Sequence, residues 1–279
     1  MIKLPAKAQD RLTKGVKCFQ PIVAQAKDKD INESDTVTIV TDILCNVFGY
    51  DKYSEITSEY AIKKTFCDLA VKIKDKVALL IEVKAAGLTL KDDYIKQAVD
   101  YGANAGIDWV ILTNAVTWKI FKITFSKPVA KELIYEFDFC DLNTKKQADL
   151  EMLYCISKES VSKTSNNLLY EIAAQKQVMN HFIIGQLCLT DTVLDAIRRQ
   201  IKKMSPEIKV QNDEIKEIML SNVIKRDVFD GEKSDDAKRK ISKFLRAQQK
   251  QTFPRIRGGD PIWQSEDFNS LSFSPHTRG

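Results

Sequence analysis

The stretch from Asp68 to Lys84, DLAVKIKDKVALLIEVK, constrains this chain more than any other. Two apolar runs, 69–73 and 77–81, flank the polar triplet Lys74-Asp75-Lys76. Apolar, β-branched runs of strand length around a short polar break predict a β-hairpin. Residues two apart in a strand share a face. Glu82 and Lys84 therefore point one way, and Ile81 and Val83 the other. Asp68 lies on the side opposite Leu69, Val71 and Ile73. One end of the ribbon thus carries two carboxylates and an ammonium, backed by an apolar layer. Carboxylates suit a hard cation such as Mg²⁺. A cation with a Lys beside it suits chemistry on a water and a phosphate. The plainer alternative is that these are solvated charges at strand ends, since Glu-x-Lys is common by chance.

The flanking chain predicts what covers this ribbon. Residues 6–27 suit a helix, which Pro21 would kink or split. Asn32-Glu33-Ser34-Asp35 offers a helix start, and the stripe Val37, Val40, Leu44, Val47, Phe48 carries the helix to Gly49. The rival reading is a strand over the β-branched run 36–41. An edge strand is expected over 54–62. A helix follows over 91–103, with Tyr94, Ile95, Ala98 and Tyr101 at helical spacing. Strands are expected at 109–113, 116–123 and 133–139, with a turn at Asn114-Ala115. Helices alternating with strands in this order predict an α/β fold, a mixed β-sheet flanked by helices. From residue 145 the strand signals fade and helices are expected at 149–156, 167–184, 191–204 and 213–223, while 235–249 reads as a further basic helix or a charged segment without fixed structure. The expected organisation is a sheet domain over 1–141, a helical region over 142–250 and a disordered tail over 251–279.

Composition narrows the chemistry. With 279 residues and 44% hydrophobic residues, the chain can bury a sizeable core. No apolar run has the length of a membrane span, and the N-terminus has no signal-like segment, so a cytoplasmic protein is expected. Cys18, Cys45, Cys67, Cys140, Cys155 and Cys188 form no Cys-x-x-Cys and read as free, mostly buried thiols. The two histidines speak against histidine-dependent hydrolysis: His181 reads as a packed or half-buried helix residue and His276 lies in the tail. The net charge of +5 is mild, but Gly231 to Arg257 holds nine Lys or Arg against three acids. Such a segment can follow a phosphate backbone, or simply be solvated.

Gln97 and Tyr101 stand four apart, on one face of the helix that follows Lys84. Asp68, thirteen residues, Glu82-Val83-Lys84, then Gln97 to Tyr101 resembles the PD-(D/E)xK nuclease superfamily with its QxxxY extension. With LCNVFGY at 44–50, Glu59, Phe66 to Ala70 and WVILTNAVTW at 109–118, it resembles more narrowly the N-terminal nuclease domain of type I restriction enzyme R subunits. The later stretch from Glu207 to Val210 is similar to the tail of small stand-alone relatives. No GxxxxGK[ST] motif occurs, so no helicase motor or nucleotide cofactor is expected.

The resemblance implies roles. Asp68 and Glu82, with the carbonyl of Val83, would bind Mg²⁺, or Mn²⁺ in its place. Lys84 would position or polarise the attacking water, and Gln97 and Tyr101 would order the site. An acid on the leading helix often completes such sites, and Glu33 and Asp42 both qualify. Cys67 replaces the Pro of the motif. The implied activity is a Mg²⁺-dependent DNA endonuclease, acting in restriction or defence, as a homodimer or with a partner subunit. The alternative is a non-catalytic module that binds nucleic acid or protein on the same fold.

Overall fold

A computed structural model describes residues 4–62, 65–125, 128–163 and 168–252. The chain divides into two compact units, residues 1–180 and 181–279. The helical region that the sequence places after residue 141 therefore begins within the first unit.

Two helices open the first unit, α1 (Ala6–Asp28) and α2 (Glu33–Asn46). α1 runs through Pro21 as one helix, so the expected split does not occur. Its buried face, with Leu12, Val16, Phe19 and Val23, holds both sides of the proline in one packing surface. α2 starts where Asn32 caps it, the Asn32 carboxamide oxygen accepting the Asp35 N–H at 2.9 Å. Its β-branched run is helical because Val40, Ile43 and Leu44 bury one face of α2, and threonine hydroxyls there donate back to carbonyls four residues earlier. Thr36 reaches Asn32 at 2.7 Å and Thr41 reaches Val37 at 2.8 Å. Gly49, at φ 85°, takes the left-handed conformation that ends this segment.

Among the described residues six strands form one sheet in sequential order. They are β1 (Ile56–Ile62), β2 (Thr65–Ile73), β3 (Lys76–Val83), β4 (Trp109–Thr113), β5 (Thr117–Thr124) and β6 (Ala130–Asp138). β1 is an edge strand, as its sequence predicts. The β2–β3 turn is made by Lys74 and Asp75, at φ 51° and 63°. Two successive left-handed residues match the twist of the paired strands. All neighbours are antiparallel except β3 and β4, which are parallel. A parallel pair needs a crossover. It is supplied by a 3₁₀ turn (Asp92–Ile95) and α3 (Lys96–Ala105).

The sheet has a different apolar layer on each face. Leu69, Val71, Leu79, Ile81, Val83, Ile111 and Trp118 pack with α1 and α2. Ala70, Leu80, Val110 and Leu112 pack with Ile95, Ala98 and Val99 around α3. Three further helices belong to this unit: α4 (Gln147–Cys155), α5 (Lys158–Val161) and α6 (Leu168–Val178). Leu150, Leu153, Leu169 and Ala173 join the first layer, which is why the helices after residue 141 belong with the sheet.

The second unit contains α7 (His181–Cys188), α8 (Asp191–Met204), α9 (Asn212–Ile218), a π turn (Met219–Val223), a 3₁₀ turn (Arg226–Val228) and α10 (Glu232–Thr252). The single helix expected over 167–184 is two helices, broken at Met179 and Asn180. His181 consequently opens a helix and is exposed, its ring 4.0 Å from that of Phe182, and the expected packed position does not hold. Ile183, Ala237 and Ile241 form a small core between α7 and α10. The expected disordered tail lies, from residue 253, outside the described residues. No helix among the described residues is long and apolar enough to cross a membrane.

Candidate active site

Asp68 sits at an interruption in both of its ladders. The β1–β2 register passes from Tyr60↔Cys67 to Ser58↔Leu69, and Glu59, opposite Asp68, has φ 47°. The β2–β3 register begins at Leu69↔Ile81. Past that point the Asp68 side chain takes over as acceptor. Its Oδ2 receives the Val83 N–H at 2.7 Å. The carboxylate is thereby fixed against the strand that carries Glu82 and Lys84.

Lys84 lies one residue beyond β3, and its N–H donates to the Thr113 carbonyl at 2.9 Å, continuing the parallel pairing. Its ammonium donates to Glu82 Oε1 at 2.8 Å and to the Val83 carbonyl at 2.9 Å, with Glu33 Oε2 at 3.4 Å. Glu33 is brought there by the start of α2, and Ala86 N–H donates to the Ile31 carbonyl at 3.2 Å, tying the segment after Lys84 to the entry of that helix. Asp42, the other candidate acid, pairs instead with Lys52 at 3.0 Å. Of the two, Glu33 is the one beside the cluster.

Burial sets the electrostatics. Desolvation lifts the Asp68 carboxyl above its ordinary range, against the pull of the Val83 N–H and the Lys84 charge. Desolvation likewise raises Glu82, against its hydrogen bond from Lys84. For Lys84 burial works downward, but the Glu82 hydrogen bond and the charges of Glu82, Asp68 and Glu33 outweigh it and raise the ammonium. Beneath the cluster, burial and the two acids push the Cys67 thiol up to about 12, while its Sγ contacts the Ile81 carbonyl at 3.2 Å. The residue in the proline position of the motif is thus an inert, packed thiol.

The donors around Lys84 are all oxygens, the atoms Mg²⁺ and Mn²⁺ prefer. Among the described residues no group of three or more His, Cys, Asp or Glu side chains is arranged to hold an ion. An ion here would rest on the carboxylates of Asp68 and Glu82 with the Val83 carbonyl and water, a donor set that fits Mg²⁺, which keeps several waters.

The helix residues are placed less centrally. Tyr101 packs edge-on against Tyr60, ring centroids 6.2 Å apart, and its hydroxyl is raised first by burial, then by Tyr60 and Cys67. Gln97, one turn earlier, is exposed. Asn114, read from sequence only as a turn, holds the segment that leaves Lys84. Its amide nitrogen donates to the Ala86 and Leu88 carbonyls at 3.2 and 2.9 Å, and its oxygen accepts the Val116 and Thr117 N–H groups. A buried polar side chain beside a break in apolar periodicity was the signal for it.

The fold is thus an α/β one, a mixed sheet flanked by helices, with its acids and Lys at the end of a parallel pair. Residues 38–136 match the family model of the type I restriction enzyme R protein N terminus. The match runs from within α2 to near the end of β6 and contains Asp68, Glu82, Lys84, Gln97 and Tyr101. No curated protein and no solved structure matches the chain.

Proposed function

We propose that this chain is a Mg²⁺-dependent endonuclease that hydrolyses phosphodiester bonds of DNA in restriction or defence. The observation that carries the reading is the convergence of Asp68, Glu82 and Lys84, within the matched segment, at the end of β3. Asp68 and Glu82 would hold the ion with the Val83 carbonyl, and Mn²⁺ could replace Mg²⁺. When bound, the ion supplies a Lewis acid for the phosphate and lowers the pKa of a water. Lys84, held charged by its acidic neighbours, serves as a donor rather than a base. It orients the water and offsets charge that develops on the phosphate. Gln97, from its exposed position on α3, and Tyr101 order the site from the helix.

The basic helix α10 suits the same substrate. Arg239, Lys243 and Arg246 are exposed and recur at four and three residues, on the side of the helix away from buried Ile241. A stripe of that kind grips phosphates without regard to sequence. A homodimer or a partner subunit completes the assembly in this reading.

The test is cleavage of supercoiled plasmid in Mg²⁺ and in EDTA, with Lys84→Ala and Asp68→Ala alongside. Cleavage by the wild type in Mg²⁺ alone, lost in both variants, is the expected outcome. Identical behaviour of all three proteins would instead favour a binding module on a nuclease-like fold.

A further inference from the structure

One row of residues crosses the sheet from the candidate site. Glu82 pairs with Leu112, Leu112 with Lys119, and Lys119 with Glu136. Directly opposed residues share a face, and neighbouring strands lie about 4.8 Å apart, so Lys119 stands roughly 10 Å from Glu82 on the same face. Its side chain is only 15% exposed. Two carboxylates approach it, Asp92 at 3.6 Å and Glu136 at 3.5 Å, both about half exposed. Charge-assisted hydrogen bonds close to about 2.7–2.9 Å. An ammonium has three donors, and these two loose contacts leave it capacity for an anion.

A cavity of about 260 Å³ opens beside it, lined by Lys27, Thr89, Asn114 and Thr117 together with Lys119 and Glu136. Its wall is held in place, because the Asn114 carboxamide is committed to the carbonyls of Ala86 and Leu88. Lys27 adds a second cation at the rim. We propose that Lys119 binds a backbone phosphate of the DNA strand whose scissile bond lies at Asp68, Glu82 and Lys84. This rests on the endonuclease reading and adds to it a fixed contact along the strand.

The competing account is a strut: Lys119 merely joins Asp92, before α3, to Glu136 on β6. Lys119→Met keeps most of the stem and removes the charge; Lys119→Arg restores the charge. The full-length proteins are titrated against a short DNA duplex in EDTA over a series of salt concentrations. For Lys119→Met the slope of log K against log salt becomes shallower by about 0.9, and affinity at low salt falls about tenfold. Lys119→Arg recovers both, and in Mg²⁺ Lys119→Met raises KM with kcat unchanged. An unchanged slope overturns the proposal, and a lowered melting temperature with that unchanged slope assigns Lys119 to the strut. If the wild type neither binds nor cuts DNA, the endonuclease reading falls and this proposal with it. If the wild type binds and cuts while the slope of Lys119→Met is unaltered, only the Lys119 contact falls.

Discussion

Asp68 Oδ2 accepts the Val83 N–H at 2.7 Å, so a side chain fills the place in the hairpin where the backbone ladder has ended. That bond holds one carboxylate beside the next, and burial then makes the pair costly to ionise. The site stores a demand for positive charge, met in part by Lys84.

Neutralising either acid is expected to separate stability from activity. In Asp68→Asn the amide oxygen can still accept the Val83 N–H, and Glu82→Gln retains the shape of its parent. Both folded-state carboxyls hold their protons to higher pH than the unfolded chain does. Their contribution to stability is therefore greatest at low pH and declines as pH rises through and above the carboxylate range, about 4. Each variant should melt higher than wild type at neutral pH, with a difference that shrinks in acid, while cleavage falls by about 10²–10³-fold. Scanning calorimetry at several pH values checks the first part, and a plasmid assay the second.

Lys84→Ala should act in the opposite sense on stability. It removes the cation that Glu82 and Glu33 share and leaves the half-buried Glu82 carboxylate without its ion-pair partner. A lower melting temperature than wild type at neutral pH is expected, together with loss of cleavage. Mg²⁺ should raise the melting temperature of wild type by mass action and that of the Asp68→Asn, Glu82→Gln double variant little. Thermal melts with and without the ion measure this directly.

Asn114→Ala removes a buried side chain that makes four hydrogen bonds to backbone groups. Buried groups left without partners cost about 1–3 kcal/mol each, so a loss of at least about 2 kcal/mol is expected. Urea denaturation reports it. Because the Ala86 and Leu88 carbonyls are released, hydrogen exchange should also speed up in the segment after Lys84.

Thiol chemistry offers an independent check on the core. Cys67 and Cys155 are buried, each pushed up to about 12 with desolvation the first cause. Cys18 is exposed on α1. A maleimide at neutral pH should label Cys18 rapidly and leave Cys67 and Cys155 unmodified until the chain is unfolded. Peptide mass mapping reads the sites.

The sequence by itself determined the hairpin, the mixed sheet and the pairing of acids and Lys on one face, because alternation along a strand is a local property. It determined α2 as well, where the apolar stripe outlasted a run of β-branched residues. Tertiary structure alone put Glu33 rather than Asp42 beside Lys84, since that depends on how α2 is anchored against the segment after Lys84. It also decided that α1 passes through Pro21, that a break at Met179 and Asn180 leaves His181 exposed, and that the helices following residue 141 share the sheet's core. Each of these turns on contacts between residues far apart in the chain, and no local pattern of side chains encodes which surfaces will meet.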